Sequence, residues 1–169
     1  MAKRVFQQAT FTPTATADNS AMANATYMEL EAGSATQTMN VIEIYIGGQA
    51  SASAVTMTQF ARSLAFGSIP TALAAPNGDG PMNTGTAALA APPVTYVSAG
   101  TGPTRTNVAT TARLNLSLNA FGGIVRWVAA PGEEWVITGT TVSVSGSSLS
   151  SWNAGAAGLV GAHIIYEPF

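Results

Sequence analysis

His163 is the only histidine in the chain, and there is no cysteine. An imidazole can serve as a general base or a metal ligand. Either role needs partners, and neither a second histidine nor a thiolate is present to complete a common set. His163 is therefore read as a structural or interface residue. Glu133 and Glu134 form a carboxylate pair. Adjacent residues on a strand point to opposite faces, so the two cannot flank one glycosidic bond as paired hydrolase carboxylates do. A solvated turn suits them better. Asn77-Gly78-Asp79-Gly80 has the oxygen donors that begin a calcium loop, but Pro81 and Met82 follow where the EF-hand spacing would have to continue. Turn chemistry accounts for it. Serine and threonine are abundant, yet no Gly-x-Ser-x-Gly elbow and no Ser/His/Asp set stands out. Trp127, Trp135, Trp152 and Tyr96 could line a sugar-binding face. Beside aliphatic residues on strands, such rings more often belong to a core or a subunit contact. The expectation is no enzyme, no metal and no cofactor.

The elements that would carry these residues read as strands. In Arg113–Asn119, Leu114, Leu116 and Leu118 alternate with polar residues, the period of a strand with one buried face. Phe121-Gly122-Gly123 then bends the chain, and Ile124–Val128 resumes an apolar run that Pro131-Gly132 ends. This pair of strands reads as a hairpin. Residues 25–31 alternate as well and read as a strand, with a helix as the runner-up. Residues 39–46 are dense in β-branched side chains and read as a strand closed by Gly47-Gly48, with Ile42, Ile44 and Ile46 on one face and Val41, Glu43 and Tyr45 on the other. A strand over 54–62 competes with a short helix over 58–65. Short strands are also expected at 94–97, 134–138, 141–145 and 159–167. In the last, Ala162, Ile164 and Tyr166 share a face.

Residues 67–93 are rich in proline, glycine and alanine and read as a long loop. Leu73-Ala74-Ala75-Pro76 recurs as Leu89-Ala90-Ala91-Pro92, the reuse of a turn-entry phrase rather than a solenoid repeat. Residues 146–158 are Ser/Gly/Ala-rich, with Leu149 and Trp152 as the only large anchors. Residues 1–20 read as an extended N-terminal arm, with residues 21–169 forming one domain. The expected fold is all-β: an antiparallel β-sandwich, jelly-roll-like, with long loops.

Charged residues make up 8% of the 169-residue chain, against roughly 25% in an ordinary soluble domain. Such a surface is weakly solvated and sits readily against other protein. Net charge is −2, and no basic cluster extends beyond Lys3-Arg4, so direct nucleic-acid binding is not expected. No apolar run approaches the roughly 20 residues of a membrane span, and no h-region follows Lys3-Arg4. Synthesis in the cytoplasm without an export signal is the expectation.

At Asn119–Trp135 (NAFGGIVRWVAAPGEEW) and Leu73–Pro81 (LAAPNGDGP) the chain resembles small virion structural proteins of tailed bacteriophages, among head-decoration or cement proteins and minor tail components. Asn119, Phe121, Gly122, Gly123, Arg126, Trp127, Pro131, Gly132 and the closing His163–Glu167 strand carry the resemblance. It implies a β-rich protein without cofactor that sits on the capsid surface of the virion, made in the host cytoplasm. It would bind the major capsid protein or other virion proteins, and also copies of itself, with a trimer favoured. Expected assembly contacts are Phe6 and Phe11 of the arm, Ile69, Leu73 and Leu89 of the long loop, and Trp152. The competing expectation is a receptor- or carbohydrate-binding β-domain of a phage tail or fibre.

Overall fold

The computed structural model describes residues 5–9, 26–31, 34, 36–62, 80–81, 94–96, 112–138, 148–155 and 160–169. These form eleven strands: β1 (Phe6–Ala9), β2 (Thr26–Glu31), β3 (Thr38–Gly48), β4 (Val55–Arg62), β5 (Gly80–Pro81), β6 (Val94–Tyr96), β7 (Ala112–Asn119), β8 (Ile124–Val128), β9 (Trp135–Thr138), β10 (Ser148–Gly155) and β11 (Val160–Pro168). The described residues contain no helix, so 58–62 belong to β4 and not to the short helix considered for that stretch.

All pairings are antiparallel. One sheet has the order β5-β1-β11-β3-β8, with β9 also on β3; the other has the order β6-β2-β10-β4-β7. The longer strands pair as nested partners: β1 with β11, β2 with β10, β3 with β8, and β4 with β7. Successive nested pairs fall in alternate sheets. The contacts β11–β3 and β10–β4 join the pairs within each sheet.

A single cluster of buried side chains is drawn from both sheets. Phe6, Met39, Val41, Ile44, Ile46, Ile137, Ile164 and Tyr166 come from one, and Leu30, Phe60 and Leu118 from the other. Each such side chain contributes about 1.5–3 kcal/mol by leaving water. Ala162, Ile164 and Tyr166 share the core face of β11, as the alternation predicts. Leu114, Leu116 and Leu118 likewise turn inward while Asn115, Ser117 and Asn119 are exposed.

Four expectations are corrected. The face of β3 is not one alternation. Ile165 lies opposite Glu43 while Tyr166 lies opposite Val41, leaving Ile42 as an extra, bulged residue. A bulge resets the side-chain phase, so Met39 and Val41 are buried before it and Ile44 and Ile46 after it, with Ile42 off that face. The strand also runs through Gly47 and Gly48 instead of stopping there.

β7 and β8 are not a hairpin. β7 pairs with β4 and β8 pairs with β3, so the glycine corner carries the chain from one sheet to the other. Gly122 has a φ of 74°, the left-handed region that glycine enters without penalty. Asn119 anchors the corner: its Oδ1 accepts from the Phe121 N–H at 2.9 Å, and its Nδ2 donates to Ser53 Oγ at 2.9 Å.

β10 lies within the Ser/Gly/Ala-rich stretch that carries no strand signal, yet it is the middle strand of its sheet, between β2 and β4. Of the long loop, only Gly80 and Pro81 are described, paired with Gln7 and Phe6. The strand expected at 141–145 lies outside the described residues.

Candidate functional site

The outer face of the first sheet holds an ordered row of polar and aromatic side chains. β8, β3 and β11 lie side by side, and their register sets Arg126 opposite Tyr45 and Tyr45 opposite His163. Same-row residues on neighbouring strands stand close enough for their side chains to touch. The rings of Tyr45 and His163 stack at 5.9 Å between centroids, 27° apart. The Arg126 guanidinium carbon lies 5.3 Å from the Tyr45 ring centre, within cation–π range. Arg126 Nε also donates to Glu43 Oε1. Glu43 and Tyr45 are two residues apart on β3 and share its outer face.

The charges respond to this packing. The Arg126 hydrogen bond, aided by the Tyr45 hydroxyl and opposed by partial burial, holds the Glu43 carboxyl below its ordinary value. The hydrogen bond of the Tyr45 hydroxyl to Glu43 raises the phenol, with burial adding to it, and the separate Arg126–Glu43 bond raises Arg126 against the effect of burial. Burial lowers His163, while Glu43 pulls weakly the other way. His163 Nε2 is buried without a hydrogen-bond partner. The neutral imidazole is the form this environment favours.

One step along the strands, the next row is Ile124, Gly47 and Gly161. The two glycines carry no side chain, and an open cleft of about 430 Å³ lies over them, bordered by Tyr45, His163, Ile124, Gln49 and Gly122. Glycine in a strand interior weakens it and often marks a place where another group comes close to the backbone. Exposed apolar side chains lie at the corner and along β8. Val55 is 73%, Phe121 59%, Ile124 78% and Val128 53% accessible. Val55 is paired with Asn119 at the base of the corner, Phe121 and Ile124 follow it, and Val128 lies at the far end of β8, beyond Arg126.

Among the described residues no three histidine, aspartate or glutamate side chains cluster as a metal would require. Glu133 is exposed in the turn between β8 and β9, where its N–H donates to the Ala130 carbonyl. Trp127 and Trp135 pack at 4.9 Å against the core.

The expected assembly contacts divide. Phe6 is wholly buried in this chain's own core, stacked on Tyr166 at 6.0 Å. Trp152 is on β10 opposite Thr26 and Gln59. Phe11, Ile69, Leu73 and Leu89 lie outside the described residues, as do 77–79 of the Asn-Gly-Asp-Gly phrase. Sequence reasoning missed Glu43 and Tyr45 as site residues. Their spacing of two on a strand was visible, but nothing in the sequence announced that Arg126, 83 positions from Glu43, would meet them.

No family model matches the chain, and no curated protein matches its sequence.

Proposed function

We propose that the chain is a structural component of a phage virion, a decoration or cement protein that binds the capsid lattice and other copies of itself. The fold it rests on is a β-sandwich of the jelly-roll kind. The nested pairing of β1 with β11, β2 with β10, β3 with β8 and β4 with β7 supports this topology, since a long hairpin rolled up on itself distributes its pairs over two sheets in that way. The shared core of the two sheets supports it too. Jelly rolls serve in viral capsids and in lectins, so fold alone does not choose a function.

The observation that carries the assembly reading is the set of exposed apolar side chains Val55, Phe121 and Ile124 at the corner, with Val128 at the other end of β8, on a chain with few charges. Exposed patches of this kind mark contact surfaces. The test is mass spectrometry of virus particles purified from cultures that produce the chain. Finding it at a fixed ratio to the major shell protein supports the reading, and its absence from clean particles rejects it.

A receptor- or carbohydrate-binding role is the second reading. The cleft beside Tyr45, His163 and Gln49 favours it, because sugar sites combine aromatic rings with hydrogen-bonding side chains. A glycan screen with the whole chain decides: specific binding lost in Tyr45→Ala supports this reading, and no binding rejects it.

A further inference from the structure

We propose that Glu43 is the moving part of a proton-operated switch on the outer face of the first sheet. With His163 neutral, Arg126 holds the Glu43 carboxylate. With His163 protonated, the carboxylate crosses β3 to the imidazolium and the guanidinium turns to water. The switch is a property of this face and stands apart from both the virion and the carbohydrate readings.

The register sets Glu43 between two basic side chains. Tyr45 lies opposite Arg126 on β8 and opposite His163 on β11, while Glu43, two residues earlier, lies opposite Val128 and Ile165. Glu43 is therefore diagonal to Arg126 on one side of β3 and to His163 on the other, an offset of about 7–8 Å that long side chains span. Arg126 is the partner it has. The buried Nε2 of His163 has none. A proton on the imidazole places a shielded charge there, and a shielded charge without an acceptor is costly. The Arg126 side chain is 56% exposed, so water can take the place of the carboxylate at little cost. Protonation thus changes which of the two needs Glu43 more.

The other groups facing His163 from the described strands do not supply that acceptor. β1 brings Ala9 opposite it and Gln7 opposite Ile165, neither ionisable. β3 brings the Tyr45 phenol, which stacks on the imidazole and is itself bonded to Glu43. On β11 itself, Glu167 shares the face four residues on, about 13 Å along an extended strand, and lies opposite Asn40. Glu43 is the nearer carboxylate by position. Burial lowers His163 and Glu43 opposes that shift, so the switch works below the ordinary imidazole value near 6.5. Arg126 and the Tyr45 hydroxyl hold the Glu43 carboxyl low, which keeps it ionised through that window.

The experiment is an NMR titration of the whole chain from about pH 8 to about pH 4.5, spanning the imidazole range and ending near the carboxylate range. It follows the His163 imidazole, the Glu43 carboxyl carbon and the heteronuclear NOE of the Arg126 Nε–H, which reports fast motion of that bond. In the wild type the Arg126 Nε–H should be ordered at high pH and lose that order as pH falls. The midpoint of the loss should match that of His163, with the Glu43 carboxyl still ionised. In His163→Gln the Arg126 signal should keep its high-pH value through the same range. In Glu43→Gln, Arg126 should be mobile at every pH, and His163 should titrate lower than in the wild type. Circular dichroism verifies the fold at each pH. The two variants alter different strands, so if one fails to fold the other still reports, and the wild-type titration decides by itself. An Arg126 that is mobile at high pH overturns the proposal, as does one that stays ordered while His163 takes up its proton. Loss of order that tracks Glu43 protonation, or that persists in His163→Gln, overturns it as well. So does an imidazole that stays neutral until Glu43 is protonated.

Discussion

Tyr45 and His163 face one another from β3 and β11, rings stacked at 5.9 Å, and the stack leaves the imidazole partly shielded with its Nε2 unpartnered. Burial therefore lowers its pKa in the folded chain. With the folded value below the ordinary value near 6.5, the unfolded chain takes up the proton first as pH falls. Stability is then full above about pH 6.5 and declines as pH drops through the depressed folded value. Urea midpoints measured between about pH 7 and pH 5 should fall for the wild type and change less for His163→Gln. Equal slopes in the two proteins would show that His163 is not the group responsible. Glu43 acts in a lower window: its folded value is depressed, so its contribution is present above the ordinary carboxylate range and is lost below it.

The hydrogen bond from Arg126 is the main reason the Glu43 carboxyl is held low. In Arg126→Gln the Glu43 carboxyl should titrate at a higher pH than in the wild type, read by NMR of the side-chain carboxyl carbon. Raising ionic strength should shrink the wild-type shift only in part, because Glu43 is the better-shielded member of the pair. An unchanged Glu43 titration would mean that the pair does not persist in solution.

Gly48 passes directly against Ala120, and a Cβ there would collide with the Ala120 backbone. The same crossing is held by Gly48 N–H to the Gly123 carbonyl and Ala50 N–H to the Ala120 carbonyl, both at 2.8 Å. Gly48→Ala should cost about 1–3 kcal/mol, as overpacking does. Gly132, at a φ of 87° in the turn after Pro131, has free space around its Cβ position but unfavourable backbone. Gly132→Ala should cost about 1–2 kcal/mol. Urea unfolding of both variants measures this, and a neutral Gly48→Ala would place the corner farther from β3.

Tyr166 Oη and Thr56 Oγ1 are buried without partners. Removing an unsatisfied hydroxyl while keeping the shape relieves a desolvation penalty of about 1–3 kcal/mol. Tyr166→Phe and Thr56→Val should therefore raise the unfolding midpoint or leave it level. A marked drop in either would reveal a hydrogen bond to that hydroxyl.

Strand identity was legible wherever one face met the core and the other met water. Leu114, Leu116 and Leu118 gave β7, and Ala162, Ile164 and Tyr166 gave the inner face of β11, because burial on one side imposes a period of two. β10 escaped because small residues write no such pattern. The strand is defined by backbone pairing with β2 and β4 on both its edges, and hydrogen bonds between main chains leave no mark on residue type. The Ile42 bulge escaped for a related reason. It is set by how β11, β8 and β9 align along β3, and all three are distant in sequence.

The candidate site was legible in single residues only. His163 stood out by being the one histidine, and Phe121-Gly122-Gly123 by its turn chemistry. Which surface they would share was not. The amino-acid sequence by itself determined the strands of the described residues, their alternation and the chain's poverty of charge, since these follow from local geometry and composition. Only the tertiary structure decided that the glycine corner crosses between sheets, that Phe6 is consumed by the core, and that Glu43, Tyr45, Arg126 and His163 stand together beside an open cleft. Each of those depends on the register between strands far apart in the chain, and register is fixed by the packing of the whole, not by any one segment.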